Sequence, residues 1–303
     1  MLNTFQGLHI LRIALRRNGP LQLISYLSNL DIARFIEYSK TIEYLDEENF
    51  ARTNIVLDIG CGYSIFPIFL KEKLLEKCGE YVTLDLSLNA CRYQASSGHQ
   101  TLQIQGDMTH LPMRSSSIDA IIAISSIEHV SNDFLVFQEV SRVLRKDGVA
   151  IISFPYSRNG SKIARRRKPP SLLISLVLKF HQALATVFGG HLSYFTEQIS
   201  TDSIMKYYSD TEIRKIISKL GFSLERRFYF GKYGRLLGIV MRFLPRGWFV
   251  VKDLVLSAVF LRKDSNEMDG RNARGVILKI RKHDSREKHC CFSKTECSAN
   301  KCN

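Results

Sequence analysis

Asn54-Ile-Val-Leu-Asp-Ile-Gly-Cys-Gly62 decides how this chain is read. A short apolar run meets an acid and then a glycine turn, which predicts a buried strand feeding a tight turn at a sheet edge. The same signature recurs downstream. Tyr81-Val-Thr-Leu-Asp85 is a second apolar run ending in an acid, and Thr101-Leu-Gln-Ile-Gln105 runs into Gly106-Asp107. Ile118 to Ser125 is almost wholly apolar and reads as a fourth strand, and Val149 to Phe154 as a fifth.

Helical periodicity fills the gaps: Pro67 to Lys77, Asn89 to Ser96, and Phe134 to Leu144, the last with Phe134, Phe137, Val140 and Val143 on one side. Strands alternating with helices predict right-handed crossovers and a parallel sheet. The pattern resumes late in the chain. Asp210 is an N-cap candidate for a helix over Thr211–Leu220, Gly221 ends it, and Phe222–Phe230 and Val255–Leu261 read as the last strands.

Three stretches fall outside this rhythm. Residues 1–50 read as an N-terminal helical cap, with Leu2, Phe5, Leu8, Leu11 and Leu15 at near-helical spacing and a second helix from about Leu30 to Leu45. Residues of about 157–205 read as a cap insertion into a domain spanning 51–262. The charged tail, 263–303, is poor in large apolar residues except at Val276–Ile280 and is expected to be disordered.

In an open parallel sheet, ligands bind at the carboxyl ends of the strands, where strand order reverses. Asp58, Asp85 and Asp107 all fall at that edge. Gly60 and Gly62 let backbone approach a ligand closely, because glycine carries no Cβ. Asp85 can accept two hydrogen bonds from a ribose diol, and Asp107 one from an adenine amino group. Asp58 is suited equally to organising the glycine turn and to touching the ligand. A dinucleotide fingerprint fails, since Ile65 stands where a third glycine belongs, and the chain has no Gly-Lys-Ser/Thr phosphate loop.

Taken together these segments resemble the class I S-adenosylmethionine (SAM) methyltransferases, specifically their small-molecule branch. Val56-Leu-Asp-Ile-Gly-Cys-Gly62 is similar to the family's first motif and Thr83-Leu-Asp-Leu-Ser87 to its second. Gly106-Asp-Met-Thr-His-Leu-Pro112, Ser117-Ile-Asp-Ala-Ile-Ile122 and Glu139 to Gly148 resemble those that follow. The match is dense over about 54–155 and looser over 205–230; Ser64 departs from it, standing where the family usually has glycine. The resemblance implies a Rossmann-like α/β fold with a mostly parallel seven-stranded sheet, helices on both faces and helical caps. It implies SAM as cofactor, with Asp85 at the ribose, Asp107 and Met108 at the adenine, Gly60 and Gly62 at the methionyl end, and Asp58, Cys61 and Leu86 as further cofactor-binding candidates. Ser125 would face the sulfonium, and His129 would be the candidate base for a protonated acceptor.

The acceptor is less legible. Lysine and arginine total 43 against 29 acids, a net charge of +14, which favours anionic partners. Six basic residues, Arg158, Lys162, Arg165, Arg166, Arg167 and Lys168, fall within eleven positions without an acid, just before the apolar segment Leu172–Phe188. The first thirty residues and Lys232–Trp248 also mix basic residues with apolar ones and contain no acid. Basic-plus-leucine segments suit a membrane interface better than they suit RNA. We therefore expect a small-molecule or lipid-like acceptor (isoprenoid, quinone or lipid-linked) and a cytoplasmic protein peripheral to the inner face of the membrane. The alternatives are an RNA or protein methyltransferase and a non-catalytic interaction protein of the same fold. Cys290, Cys291, Cys297 and Cys302 lack the paired spacing of a zinc site, and no metal is expected.

Overall fold

The computed structural model describes residues 32–51, 54–62, 79–96, 101–165, 204–231 and 273–283. The expected helix over Pro67–Lys77, the strand over Val255–Leu261, the apolar segment Leu172–Phe188, the first thirty residues and the tail cysteines lie outside them.

A seven-stranded sheet organises the described residues. Helix α1 (Ile32–Asp46) precedes β1 (Ile55–Ile59), and β2 (Glu80–Asp85) leads through α2 (Leu88–Ser96) to β3 (Leu102–Gln105). Then come β4 (Ile118–Ile124), a 3-10 turn (Ile127–His129), α3 (Asp133–Val143) and β5 (Leu144–Pro155). A short pair, β6 (Lys162–Arg165) and β7 (Ile204–Tyr207), is followed by α4 (Asp210–Leu220), β8 (Phe222–Phe230) and β9 (Gly275–Lys282). The sheet order is β3-β2-β1-β4-β5-β9-β8. Strands β1 to β5 run parallel, and β9 is antiparallel to both β5 and β8. The order reverses at β1, which has β2 on one side and β4 on the other.

Side-chain alternation divides the core into two layers. Leu57, Ile59, Ile121, Ala123, Ala150 and Ile152 face α3 and α4, meeting Val136, Val140, Ile213 and Ile216. Val56, Ala120, Ile122, Val149 and Ile151 face α1, meeting Ile36, Ile42 and Leu45. Being covered on both sides explains why β4 reads as a near-continuous apolar run.

Three expectations are corrected. Residues 275–282, assigned to a disordered tail beyond a domain ending at 262, form β9, inserted between β5 and β8 with Val276, Ile277, Leu278 and Ile280 buried. Lys279, in the middle of this run, is 2% exposed. Its ammonium pairs with Glu48 at 2.5 Å and Glu47 at 2.9 Å, both just beyond α1, and bonds the Tyr44 carbonyl. A buried ammonium is tolerated where it is paired and hydrogen-bonded in this way. The described ends of the 157–205 insertion are strands, not helices: β6 and β7 pair antiparallel from Lys162↔Tyr207 to Arg165↔Ile204. Finally, Ser209 and not Asp210 caps α4, its hydroxyl accepting the Glu212 amide. Asp210 instead receives the Tyr156 and Tyr229 hydroxyls and Arg227.

Candidate active site

Strands β1, β2 and β4 deliver their carboxyl ends to one edge, and the glycine turn begins there. Gly60 follows β1 with φ +69° and donates its amide to the Leu84 carbonyl at 2.7 Å; Cys61 donates to the same oxygen at 3.2 Å. A Cβ at Gly60 would meet Ser126 Cβ at 2.6 Å and Met108 Cε at 2.8 Å. Two conditions thus require glycine here, the left-handed backbone and the close approach of two neighbours. Gly62 also has positive φ, but a Cβ there would face open space.

Asp85 closes β2 beside this turn. One carboxylate oxygen accepts the Gly62 amide at 2.7 Å and the other the Ser87 amide at 2.8 Å. The side chain is half-buried, and a carboxylate keeps further lone pairs for a ligand. Leu86 beside it is 71% exposed, an apolar surface at the site edge. On the α2 side, Gln94 donates to the Gly62 carbonyl at 3.0 Å, so the turn is held from both sides.

Asp107 lies exposed just past β3 and accepts the Thr109 amide at 2.8 Å. That bond, with help from the Thr109 side chain, holds its carboxyl below the usual range. Met108 turns back over Gly60. The loop carrying both residues is fastened by Arg142 of α3, which bonds the Leu111 and Met113 carbonyls at 2.9 and 2.7 Å while pairing with Glu139. Glu139 in turn accepts the Leu111 amide at 2.7 Å.

Asp58 does not organise the glycine turn. It is 3% exposed, one residue short of the end of β1, and accepts the Tyr81 hydroxyl at 2.7 Å. Asp85, not Asp58, holds the glycine turn. Burial pushes the Asp58 carboxyl up to about 7, against the Tyr81 bond and with the nearby Asp85 charge adding to the rise. Cys61 is buried, and burial beside Asp58 and Asp85 drives its thiol well above its ordinary value.

Ser125 ends β4 with φ +46°, a conformation uncommon for a non-glycine residue. Its amide donates to the Ser153 carbonyl at 3.1 Å, and its hydroxyl donates to Glu37 at 2.6 Å. Ser126 donates to the Ile59 carbonyl at 3.1 Å, locking the end of β4 against the end of β1. His129 is exposed on the 3-10 turn that follows, next to the buried Glu128. Tyr156 and Tyr208, near the carboxyl end of β5, are both buried and hydrogen-bonded to acids. Tyr208 is 0% exposed, stacks on Phe154 with centroids 4.1 Å apart, and donates to Asp133 at 2.7 Å. Tyr207 is half-buried beneath Lys162.

The edge therefore brings Gly60, Cys61, Gly62, Asp85, Met108 and Ser125 together, with Leu86 and Asp107 on its exposed rim and Asp58 beneath. Glu37 and Tyr81 are components that sequence reasoning missed. Both look like ordinary helix and strand residues, and only their partners mark them out. A glycine turn closed to a side chain at Gly60, an exposed apolar residue next to a half-buried carboxylate, and acids around the turn suit a cationic nucleoside ligand such as SAM.

Comparison with known proteins agrees with this geometry. Residues 57–152, from β1 through most of β5, match the family described as Methyltransferase domain. An uncharacterised protein of Methanocaldococcus jannaschii is 29% identical over 99 residues; the match spans 32% of this chain and 39% of that protein's length. Among solved structures, one from Listeria monocytogenes assigned as an S-adenosylmethionine-dependent methyltransferase superposes with TM-score 0.52 at 10% identity, covering 82% of this chain and 98% of that one. A chain from a Haloferax volcanii complex of the Trm112 methyltransferase activator with a methyltransferase gives 0.51 at 14% identity, covering 82% and 90%. At such identities these structures speak for the fold alone, and the domain match speaks for residues 57–152. Over residues 57–152 the chain is similar to the methyltransferase domain family, and its fold is the one seen in SAM-dependent methyltransferases.

Proposed function

We propose that this chain transfers the methyl group of SAM to a small-molecule or lipid-like acceptor, of isoprenoid, quinone or lipid-linked kind, presented at an anionic membrane surface. One observation carries the reading. The insertion bearing the basic run Arg158–Lys168 and the apolar segment Leu172–Phe188 leaves the sheet at the carboxyl end of β5. It returns at Tyr208, which is bridged to Tyr156. It is therefore rooted at the same edge as the glycine turn. Arg158 and Lys162, at its described base, are exposed.

SAM supplies a methyl carbon already activated by its positive sulfur. What remains for the protein is to bind, orient and exclude water. In this reading Gly60, Cys61 and Gly62 offer backbone groups to the methionyl end, and Asp85 accepts from the ribose hydroxyls. Leu86, Met108 and Asp107 frame the adenine, Ser125 stands at the transfer point, and Asp58 supports from below. His129, exposed on the turn after β4, accepts the proton of a hydroxyl or amine acceptor. Among the described residues no helix is long and apolar enough to cross a membrane, so the contact proposed is peripheral. Each basic residue near an anionic surface contributes about 1 kcal/mol, screened by salt.

The test is co-sedimentation with neutral and anionic vesicles at low and high salt, coupled to transfer of a labelled methyl group from SAM into the lipid fraction. Salt-sensitive binding to anionic vesicles alone, lost on charge reversal at Arg165, Arg166 and Arg167, is expected. Recovery in the supernatant under every condition removes the membrane. Tight RNA binding lost in the same variant redirects the acceptor to nucleic acid. His129→Ala should lower transfer while leaving SAM affinity unchanged.

A further inference from the structure

Glu37 is a carboxylate that nothing in the motif pattern required. It sits on α1, outside the matched domain, and is 3% exposed. One oxygen accepts two hydroxyl hydrogens at once, from Ser125 at 2.6 Å and from Ser153 at 2.8 Å. The two serines end or nearly end adjacent parallel strands, β4 and β5. The Ser153 hydroxyl oxygen accepts the Ser125 amide at 3.1 Å, so Glu37, Ser125 and Ser153 form a closed triangle. Ser125 keeps its positive φ inside that triangle. Ser126, the next residue, is tied to the Ile59 carbonyl and lies against Gly60. Helix α1 thus delivers a negative charge to the boundary between β4 and the glycine turn, at a place screened from bulk water.

A carboxylate acts far more strongly in such a setting than in water, and it acts unequally on the two forms of the cofactor. SAM carries a positive sulfur; the demethylated product, S-adenosylhomocysteine, has a neutral one and is otherwise nearly the same molecule. We propose that Glu37 is a specificity-determining residue that favours the cationic methyl donor over its neutral product, and so assists product release. The inference rests on the reading that places the transfer point at Ser125. Glu37 touches the serines and acts on the cofactor by charge.

The test measures SAM and S-adenosylhomocysteine affinities by calorimetry on the full chain, wild type against Glu37→Gln. The isosteric amide removes the charge and keeps an oxygen for the serine hydroxyls. SAM affinity is expected to fall about tenfold, which is about 1.4 kcal/mol, with S-adenosylhomocysteine affinity held within about twofold. Ser153→Ala, which keeps the charge and removes one bond to Glu37, should leave the ratio of the two affinities near the wild-type value. Glu37→Ala and Glu37→Leu delete the same charge with different shapes, so whichever variant folds reads the same ratio. Equal losses for both ligands would make Glu37 a structural support only, and unchanged affinities would remove it from the site; either overturns the proposal. Wild-type protein that binds neither ligand would instead strike the cofactor reading on which it stands.

Discussion

The carboxylate of Asp85, at the end of β2, accepts the amide hydrogen of Gly62 across the sheet edge at 2.7 Å. One side chain therefore both shapes the glycine turn and offers its remaining lone pairs to a ligand. Asp85→Ala should remove both contributions. Hydrogen bonds to a charged group contribute about 1.5–3 kcal/mol each, so SAM affinity should fall tenfold or more, with some loss of stability. Calorimetric titration of the folded variant checks this; undiminished affinity would separate Asp85 from the cofactor.

Gly60 tests the turn from the other side. Gly60→Ala places a methyl group 2.6 Å from Ser126 Cβ and 2.8 Å from Met108 Cε, on a backbone with φ +69°. The left-handed conformation alone costs an L-residue about 1–2 kcal/mol, and the contacts add to it. Denaturant unfolding should show that loss, and SAM binding should weaken with the displaced turn. A variant matching the parent in both would mean that the turn does not need the close approach.

Asp58 should make stability depend on pH in an unusual direction. Its folded pKa of about 7 lies above the ordinary carboxylate value, so the native state holds the proton more tightly than the unfolded chain. This contribution is most favourable below about pH 4 and is lost as pH rises through the folded value near 7. Asp58→Asn cannot titrate and still accepts from Tyr81. The stability of the variant relative to wild type should therefore rise between about pH 4 and pH 7, by roughly 1.4 kcal/mol per unit of pKa difference. Paired unfolding curves across that range measure it, and a pH-independent difference would show that Asp58 titrates normally.

Ending the chain at Asn266 should abolish folding. The deletion removes β9, which holds β8 to the rest of the sheet, and with it the buried Val276, Ile277, Leu278 and Ile280. Four such side chains contribute roughly 6–12 kcal/mol, comparable with the whole stability of a domain, about 5–15 kcal/mol. It also strips Glu47 and Glu48 of their Lys279 partner. Circular dichroism that still showed cooperative melting at the parent temperature would refute a structural role for β9.

Local sequence was sufficient for the parallel half of the molecule. An apolar run such as Ile118–Ile124, bounded by turn residues, reads as a strand buried on both faces, and the acid-then-glycine ending of β1 marks the sheet edge where the candidate site lies. The residues gathered there, Gly60, Gly62, Asp85, Met108 and Ser125, were all legible, because strand periodicity and turn chemistry act over a few neighbouring positions. That Asp85 and not Asp58 holds the turn was not legible, because both acids stand at or near a strand end and only the register Asp58↔Thr83 and Asp85↔Gln105 decides which carboxylate reaches the Gly62 amide. Long-range partners settled the remainder. Lys279 reads as a surface lysine until Glu47 and Glu48, more than 200 positions earlier, neutralise it inside the sheet. Glu37 reads as one more polar helix residue until α1 packs it against Ser125 and Ser153. Charge burial depends on what the rest of the chain places around a residue, so no window of local sequence contains it; only the tertiary structure decided where these charges would be.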